Sequence, residues 1–431
     1  AGRGRPARAG RARGQPLVRR RFFNFGEPAP EVDPDDPGRV AMCGEYQNNM
    51  GPIVYAKEGP FGWATVAQHS ASEQDGFWPG GAPPGEVTQE WRELRLAGQP
   101  GSPQPGAGEG TGQSVVKVSL CDGQTPAMVP YCMCLAYTKS MCALAMTGAH
   151  LQGALPLDDV PALRALVVGL GAGSMPVWLN HTFPDGKMTV DAVEIDPAVI
   201  STAREAMGFP GQAMRPTPYG DATAAAEDAI SGASGEPVRV YAVGGEAFVE
   251  ALAAKSPDGY VYDMVFVDAF DKAGAVPPVL VDPEGPFLKG LSGLLAPRAT
   301  IVLNLLVGMT GSGSSGGPKE IASMTNAIYR TLCDQDKAEA FMVRTPINES
   351  SGNVEYTFLR QGRQDGREKP LKDALAASAE AINDGFPPDA LGKKIRFEFK
   401  RRVNFAYSDW SPGEEDVQQQ GGGGGGGFFG F

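Results

Sequence analysis

The sequence has few histidine and cysteine residues. Its 431 residues include 3 His and 6 Cys, and the cysteines show no paired C-x-x-C spacing. This composition excludes a zinc signature and a disulfide-stapled miniprotein, and we expect no bound metal. Cys132, Cys134 and Cys142 share an apolar stretch with several methionines, which predicts core packing in a reducing compartment and not in a secreted protein.

Long hydrophobic runs are also missing. No apolar run approaches the roughly 20 residues that a membrane-spanning helix needs. The most apolar stretch, residues 129–146, is interrupted by Thr138 and Lys139. We therefore expect a soluble protein without a transmembrane segment, and we interpret this stretch as a buried amphipathic helix.

Acidic residues outnumber basic ones after the first 21 residues of the chain. The net charge is -12, and residues 1–21 contain eight Arg and no acid, so the remainder carries about -20. Such an acidic body disfavours nucleic-acid partners. The Arg-rich start is typical of a chloroplast or mitochondrial import segment, with the cytoplasm as the alternative location.

Changes in composition divide the chain into four predicted regions. Residues 1–40 form a basic and proline-rich arm. Residues 41–125 alternate short apolar runs with Gly and Pro, which predicts a small β-rich domain with hairpins at 51–70. Residues 126–361 carry the main domain, and residues 362–431 form an extension that ends in seven Gly followed by FFGF.

Strands and helices alternate in the main domain from residue 163 onward. The predicted strands share a short apolar run and cover Leu163–Val168, 188–195, 238–243, Tyr262–Val267 and 299–306. Helical stretches at 197–207 and 246–254 separate some of them, while residues 207–237 are a predicted surface insertion. This alternation indicates an α/β fold with a Rossmann-like, mostly parallel sheet covered on both faces. Two final strands, at 340–344 and 354–360, predict an antiparallel end of the sheet.

A glycine-rich turn follows the first of these strands. Gly169, Gly171 and Gly173 have the spacing G-x-G-x-G, and Ser174 stands where the dinucleotide fingerprint requires Gly or Ala. Glycine lets the backbone approach a ligand closely, and the following helix aims N–H groups at that ligand. The motif argues against NAD and favours a nucleoside without pyrophosphate, such as S-adenosylmethionine.

Acidic residues follow the second and the fourth predicted strand. Glu194 lies about 25 residues after the turn, where a carboxylate can accept two hydrogen bonds from a ribose diol. Asp196 before Pro197 is better explained as a helix N-cap. Asp268 and Asp271 follow the fourth strand, at the edge where ligands sit in open α/β sheets, and together they can flank an amine.

These motifs resemble the spermidine synthase-like branch of the class I S-adenosylmethionine-dependent methyltransferase superfamily, the polyamine aminopropyltransferase-like proteins. The resemblance covers roughly residues 115–306 and includes VDAFDKAGAVPPVL from Val267 and NLL from Asn304. It implies a Rossmann-like methyltransferase sheet after a small N-terminal β-domain, and a homodimer. The implied donor substrate is S-adenosylmethionine or its decarboxylated form.

The resemblance also assigns roles to individual residues. The three turn glycines would line the donor pocket, Glu194 would hold the ribose, and Gln124 would approach the donor's amino end. Glu246 would replace, with a shift of one residue, the family's Gly-Asp-Ala turn beside adenine. Asp268 would be the general base, with Asp271 nearby, in aminopropyl or methyl transfer to an amine of a small molecule or a protein.

The chain departs from the family at positions that hold the amine. Ala172 stands where aminopropyltransferases have an Asp in the glycine turn, and residues 125–136 lack the family's acidic pair. These departures weaken polyamine synthesis more than they weaken the fold. They leave an alternative hypothesis, a catalytically reduced accessory subunit attached to a larger assembly through its N- and C-terminal arms.

Overall fold

The structure is a computed structural model, and it describes eleven segments of the chain. The described residues are 51–70, 87–121, 126–232, 235–256, 260–271, 274–307, 318–334, 336–346, 352–363, 368–386 and 407–409. Gln124, the basic arm 1–40 and the glycine-rich end of the chain lie outside these segments.

The first part of the chain forms a five-stranded antiparallel meander. Its strands are β1 (Ile53–Gly59), β2 (Gly62–Ser70), β3 (Val87–Ala97), β4 (Thr111–Cys121) and β5 (Ala127–Met133), and each pairs with the next. Ala64, Val66 and Leu94 point from one face of this sheet into the main apolar core. The small N-terminal β-sheet that the predicted fold class includes is confirmed, and β1 and β2 form its early hairpin.

Strand β5 corrects one prediction. Residues 129–146 do not form a single helix, because β5 runs to Met133 and helix α1 (Ala136–Leu151) begins after it. Pro130 lies inside the first part, and proline lacks the N–H that a helix interior requires. Only the second part of the apolar stretch is therefore the buried helix that its composition indicates.

The remaining strands build one eight-stranded sheet. They are β6 (Leu163–Val168), β7 (Met188–Val193), β8 (Val238–Tyr241), β9 (Tyr262–Val267), β10 (Leu295–Val307), β11 (Glu339–Pro346), β12 (Gly352–Leu359) and β13 (Tyr407–Asp409). The helices after α1 are α2 (Ser174–Thr182), α3 (Pro197–Glu205), α4 (Ala222–Ser231), α5 (Gly245–Lys255), α6 (Pro286–Gly293), α7 (Pro318–Leu332) and α8 (Leu371–Gly385).

The order of strands across this sheet is β13-β11-β12-β10-β9-β6-β7-β8. The five strands from β10 to β8 are parallel, while β12 and β11 run antiparallel to their neighbours. The chain winds outward in both directions from β6 and β9, so the switch point lies between their carboxyl ends, where open α/β sheets bind ligands. The predicted fold class, with its antiparallel end, is confirmed.

Helix α4 lies within the region that sequence patterning assigned to a surface insertion. The Asp221 side chain caps its first turn by accepting a hydrogen bond from the Ala224 N–H at 2.9 Å. Gly232 ends it in the left-handed conformation, with φ of 57°. Capping at both ends and four alanines in its first half explain why a helix forms here.

Apolar side chains fill both faces of the large sheet. On β10, Val302 packs with the cluster that includes α1 and the N-terminal sheet, while Leu303 packs with the cluster under α5 and α6. This alternation follows from the two-residue repeat of a strand. Among the described helices, none is long and apolar enough to cross a membrane.

A fully buried ion pair joins β7 to the edge strand β8. The Arg239 guanidinium is 2.7 Å from Asp191 Oδ1, and both side chains are buried. The hydroxyls of Tyr260 and Tyr262 donate to Asp191 Oδ2 at 2.7 and 2.9 Å. The carboxylate is thus compensated by one cation and two hydroxyl donors, as a buried charge requires.

We expect Asp191→Ala to lower the free energy of unfolding by about 3–5 kcal/mol, because Arg239 keeps its charge inside the sheet without a partner acid. Urea denaturation at pH 7 measures the change. Glu227→Ala is the control, because it breaks the exposed pair with Lys255 and should cost at most about 0.5 kcal/mol. Equal small losses in both variants would contradict the buried pair's role.

Candidate functional site

The glycine turn connects β6 to α2 with all three glycines at positive φ. Gly169, Gly171 and Gly173 have φ of 95°, 53° and 84°. The Gly169 N–H donates to the carbonyl oxygen of Val193 at 3.0 Å, and a Cβ on Gly169 would clash with the carbonyl oxygen of Asp268. Only glycine fits this position, because the turn is held between the ends of β7 and β9.

Glu194 closes the turn from the end of β7. Its carboxylate accepts hydrogen bonds from the Leu170 N–H at 3.0 Å and the Asp196 N–H at 2.9 Å. Burial raises the pKa of Glu194, and these backbone donors oppose that rise. The Gly171 N–H also bonds this carboxylate. Two carboxylate oxygens offer about four acceptor positions, so the three backbone bonds leave about one position for a ribose hydroxyl.

Asp196 has the structural role that its sequence context predicts. Its Oδ1 accepts from the Ala198 N–H at 2.8 Å, and Pro197 occupies the first turn of α3. The prediction of an N-cap is confirmed. Glu194 is therefore the carboxylate of this pair that is directed toward the glycine turn.

Asp268 lies at the carboxyl end of β9, directly beside the glycine turn. It is partly buried, and Asn304 Nδ2 donates to its Oδ1 at 2.8 Å. Burial raises the pKa of Asp268 to about 6, while the hydrogen bonds from Asn304 and Tyr137 act to lower it. Asp268 can therefore exchange a proton close to neutral pH.

Asn304 is itself held by a second amide. Asn353 Nδ2 donates to Asn304 Oδ1 at 3.0 Å, and both side chains are buried. Because its oxygen is occupied by this bond, the Asn304 amide presents its N–H side to Asp268. Asp268, directly after β9, is thus joined by hydrogen bonds to Asn304 of β10, and Asn304 is joined to Asn353 of β12.

Tyr137 completes the surroundings of Asp268 from helix α1. Its hydroxyl hydrogen-bonds Asp268 and lies 3.4 Å from the carbonyl oxygen of Gln113 on β4. Burial and the charges of Asp268 and Glu355 raise the pKa of Tyr137. The tyrosine therefore stays protonated and acts as a donor at neutral pH.

Two further predicted residues, Asp271 and Glu246, lie in the described segments. Asp271 is exposed, and its Oδ1 accepts from the Ala275 N–H at 2.9 Å. Glu246 lies in the first turn of α5 and is partly buried. Their roles beside an amine and beside adenine stay predictions, as does the role of Gln124.

Sequence reasoning missed two residues near the site, Ile195 and Ser114. Ile195, directly after Glu194, is 52% exposed, and its Cδ1 lies 3.4 Å from the point where a Cβ on Gly244 would stand. Ser114 of β4 lies against Gly171, where a Cβ would clash with its hydroxyl. Ile195 could have been found from the sequence, because it is an apolar residue directly after the acid that ends a strand. Ser114 is brought to the site by tertiary packing alone, so no local sequence feature indicates it.

Comparison with curated proteins shows similarity to methyltransferases. The chain is 28% identical over 180 residues to the human eEF1A lysine and N-terminal methyltransferase, covering 40% of this chain and 21% of that protein. The mouse protein of the same name is 29% identical over 147 residues, covering 33% and 17%. The match spans about a fifth of these relatives' length. No protein-family profile matches the chain.

Solved structures with similar shape include both methyltransferases and spermidine synthases. A probable spermidine synthase from Corynebacterium glutamicum has a TM-score of 0.47 at 14% identity, covering 82% of this chain and 95% of that one. Human methyltransferase-like protein 13 in complex with S-adenosylhomocysteine has a TM-score of 0.40 at 20% identity, covering 66% and 100%.

The strand order, with its antiparallel end, defines the fold of the chain. The chain has the class I S-adenosylmethionine-dependent methyltransferase fold. In sequence it is similar, over part of its length, to the eEF1A methyltransferases.

The raised pKa of Asp268 predicts a pH-dependent stability difference. A folded-state pKa near 6 against an unfolded value near 3.9 means that stability falls as pH rises between about 4 and 6 and stays reduced above that range. Asp268→Asn removes the ionisation. The difference in free energy of unfolding between this variant and the wild type should therefore be more favourable to the variant at pH 8 than at pH 4, by about 1–3 kcal/mol. Denaturant titrations at both pH values measure this difference, and an equal effect at both would contradict it.

Proposed function

We propose that the protein binds S-adenosylmethionine and transfers its methyl group to an amine. The observation that carries this proposal is the Glu194 carboxylate bonded to the Leu170 N–H in the glycine turn. A nucleoside over this turn meets a carboxylate for its ribose hydroxyls on one side. On the other side of the turn it meets Asp268, which follows β9.

Methyl transfer is favoured over aminopropyl transfer by the groups that surround the turn. Ala172 is completely buried in the apolar core, so this position offers no acid to an aminopropyl chain. Residues 125–136 contain no Asp or Glu. The curated relatives are named as methyltransferases, which supports the same choice and does not favour the alternative of a purely structural subunit.

The chemistry asks little of the protein beyond alignment and proton removal. The sulfonium donor supplies a methyl carbon with a good leaving group. The neutral acceptor nitrogen forms a bond to that carbon, while the carbon–sulfur bond breaks and its electron pair stays on sulfur. Asp268 accepts the proton that the nitrogen loses, and Asn304 and Tyr137 hold its carboxylate in place.

The acceptor class is part of the proposal. The curated relatives carry eEF1A lysine and N-terminal methylation in their names, and we infer a protein amine for this chain as well. A homodimer, attachment to a larger assembly through the terminal arms, and an organellar or cytoplasmic location are further predictions, tested by light scattering, co-purification and imaging of the full chain.

Donor binding depends on Glu194 in this account. We expect S-adenosylhomocysteine to bind the wild-type protein and Glu194→Gln to raise its Kd about tenfold, because the neutral amide is a weaker acceptor for ribose hydroxyls. Isothermal titration calorimetry measures both values. Glu205→Gln on the surface of α3 is the control and should leave Kd unchanged. A wild-type protein that binds neither the donor nor this product would overturn the proposed function.

Asp268→Asn should lower methyl transfer to amine-bearing peptides at least about 100-fold and leave the Kd of S-adenosylhomocysteine within about twofold. Transfer from donor carrying a tritiated methyl group is the measurement, with putrescine and the decarboxylated donor as the aminopropyl comparison. Unchanged turnover in this variant would exclude Asp268 as the base.

Asn304 sets the pH range in which Asp268 works. The wild-type rate should rise through about pH 6, where Asp268 loses its proton. Asn304→Ala removes a donor that stabilises the carboxylate, so this rise should move to higher pH. The pH profile of kcat/KM measures the shift, with His150→Ala as a control for effects of a titrating residue elsewhere. An unmoved profile in Asn304→Ala would contradict this assignment.

A further inference from the structure

Asn353 is a buried polar residue of β12 that the proposed reaction does not use directly. It is 6% exposed, and Asn304 on the neighbouring strand β10 is completely buried. In the register of this antiparallel pair, Asn353 stands opposite Leu306 and Asn304 stands opposite Glu355. The two amides are therefore diagonal neighbours on one face of the sheet, and Asn353 Nδ2 donates to Asn304 Oδ1 at 3.0 Å.

The direction of these hydrogen bonds follows from the chemistry of the groups. An ionised carboxylate only accepts hydrogen bonds, so Asp268 requires the N–H side of the Asn304 amide. Asn304 Nδ2 meets this requirement at 2.8 Å from Asp268 Oδ1. The Asn304 oxygen is then directed toward β12 and needs a donor, which Asn353 supplies. An Asn304 amide turned the other way would place its oxygen against the carboxylate.

Asn353 lies in a closely packed part of the protein. Thr345 of β11 stands opposite Asn353, and its hydroxyl oxygen lies 3.4 Å from that of Ser140 on α1. Both of these side chains are buried. The same helix carries Tyr137, which hydrogen-bonds Asp268. The strands and the helix that surround Asp268 therefore also surround Asn353, and close packing restricts the rotation of its amide.

Titratable groups near Asp268 come from α1, β12 and the end of β7. Tyr137 and Cys142 lie on α1, and burial and the charge of Asp268 raise the pKa of both, so both stay protonated at neutral pH. Glu355 of β12 is completely buried, and its charge also raises the pKa of Tyr137. Glu194 lies across the glycine turn. A pH profile of the site must therefore distinguish Asp268 from the other two acids.

We propose that Asn353 is a positioning residue of the site, which holds the Asn304 amide in the orientation that donates to Asp268. The inference rests on the proposed function, in which Asp268 is the base, and extends it to a residue that acts through Asn304. Without Asn353, the buried Asn304 oxygen loses its donor and the amide can rotate. The hydrogen bond to Asp268 then weakens, and the carboxylate loses part of the stabilisation that opposes the cost of its burial.

The test variant is Asn353→Leu, which removes the amide and keeps a similar shape. We expect the rise of kcat/KM to move upward by about one pH unit, because the pKa of Asp268 increases when a donor to its charged form is lost. Methyl transfer should fall about tenfold at about pH 5 and stay within about threefold of wild type at about pH 8. The Kd of S-adenosylhomocysteine should stay within about twofold. Asn353→Ser keeps a donor and should shift the profile less.

A double-mutant cycle shows whether Asn353 acts through Asn304. Combining Asn353→Leu with Asn304→Ala should move the profile no further than Asn304→Ala does alone. Additive shifts would overturn the inference, as would a rate that falls equally at every pH, because Asn353 would then act on packing in general.

Two further variants of β12 serve as controls. Thr357→Val removes a buried hydroxyl from the same face of this strand, where Thr357 stands opposite Val302, and it should leave the profile unmoved. Glu355→Gln should keep a rise in rate with pH. A rise that disappears in Glu355→Gln would assign the titration to Glu355 and overturn the inference.

NMR measures the same property without catalysis. In protein labelled with carbon-13 aspartate, the carboxyl signal of Asp268 is identified by its loss in Asp268→Asn. We expect a higher pKa for this signal in Asn353→Leu than in the wild type, and equal values would overturn the inference while the proposed function stands. A wild-type protein that neither binds S-adenosylhomocysteine nor transfers a methyl group would overturn the proposed function. The NMR titration would still decide whether Asn353 orients the amide.

Discussion

The hydrogen bond from the Leu170 N–H to the Glu194 carboxylate is the constraint on which the site depends. It ties the turn after β6 to the end of β7, while the Gly169 N–H binds the Val193 carbonyl and the Asp268 N–H binds the Val168 carbonyl. Three neighbouring strand ends are thereby fixed relative to each other. The fixed ends place one carboxylate on each side of the glycine turn.

The N-terminal sheet supports this edge from outside. The Met128 N–H donates to the Gly208 carbonyl at 3.0 Å, and Arg92 binds the Ala206 carbonyl, so β5 and β3 both hold the chain that follows α3. Gly59 lies against Asp196, where any Cβ would be too close to the carboxylate. The small sheet is therefore part of the structure that positions the site, and its face supplies Ser114 next to Gly171.

Burial of Asp268 connects stability with chemistry. The side chain lies where desolvation disfavours its charge, and the buried amides of Asn304 and Asn353 compensate only in part. A carboxylate whose pKa lies close to neutral pH can take a proton from an amine at that pH. The same property makes the ionised folded state less stable, as is common at functional sites.

Local patterns predict those parts of this fold that depend on short sequence signals. Leu163–Val168 and Tyr262–Val267 were predicted with the bounds they have, because parallel strands buried on both faces read as continuous apolar runs. Asp196 as an N-cap followed from its neighbour Pro197. Strand β5 was missed because its apolar run continues into α1 and periodicity does not separate the two.

The partners of the site residues could not be predicted in the same way. Asn353 reaches Asn304 across an antiparallel pair 49 residues later in the chain, and no local spacing indicates such a contact. The chain before α4 pairs with β8 through the N–H groups of Arg215 and Gly220, and this pairing is a long-range effect of the sheet edge. The sequence therefore predicts the acidic residues and the glycine turn. The hydrogen-bond partners of these residues are far away in sequence and become visible only in the folded structure.

The most direct measurement is a crystal structure of the protein with S-adenosylhomocysteine. The account predicts the ribose hydroxyls within hydrogen-bonding distance of the Glu194 carboxylate, with the sulfur on the Asp268 side of the glycine turn. A ligand bound elsewhere, or a ribose held by other groups while Glu194 bonds only to the backbone, would contradict it.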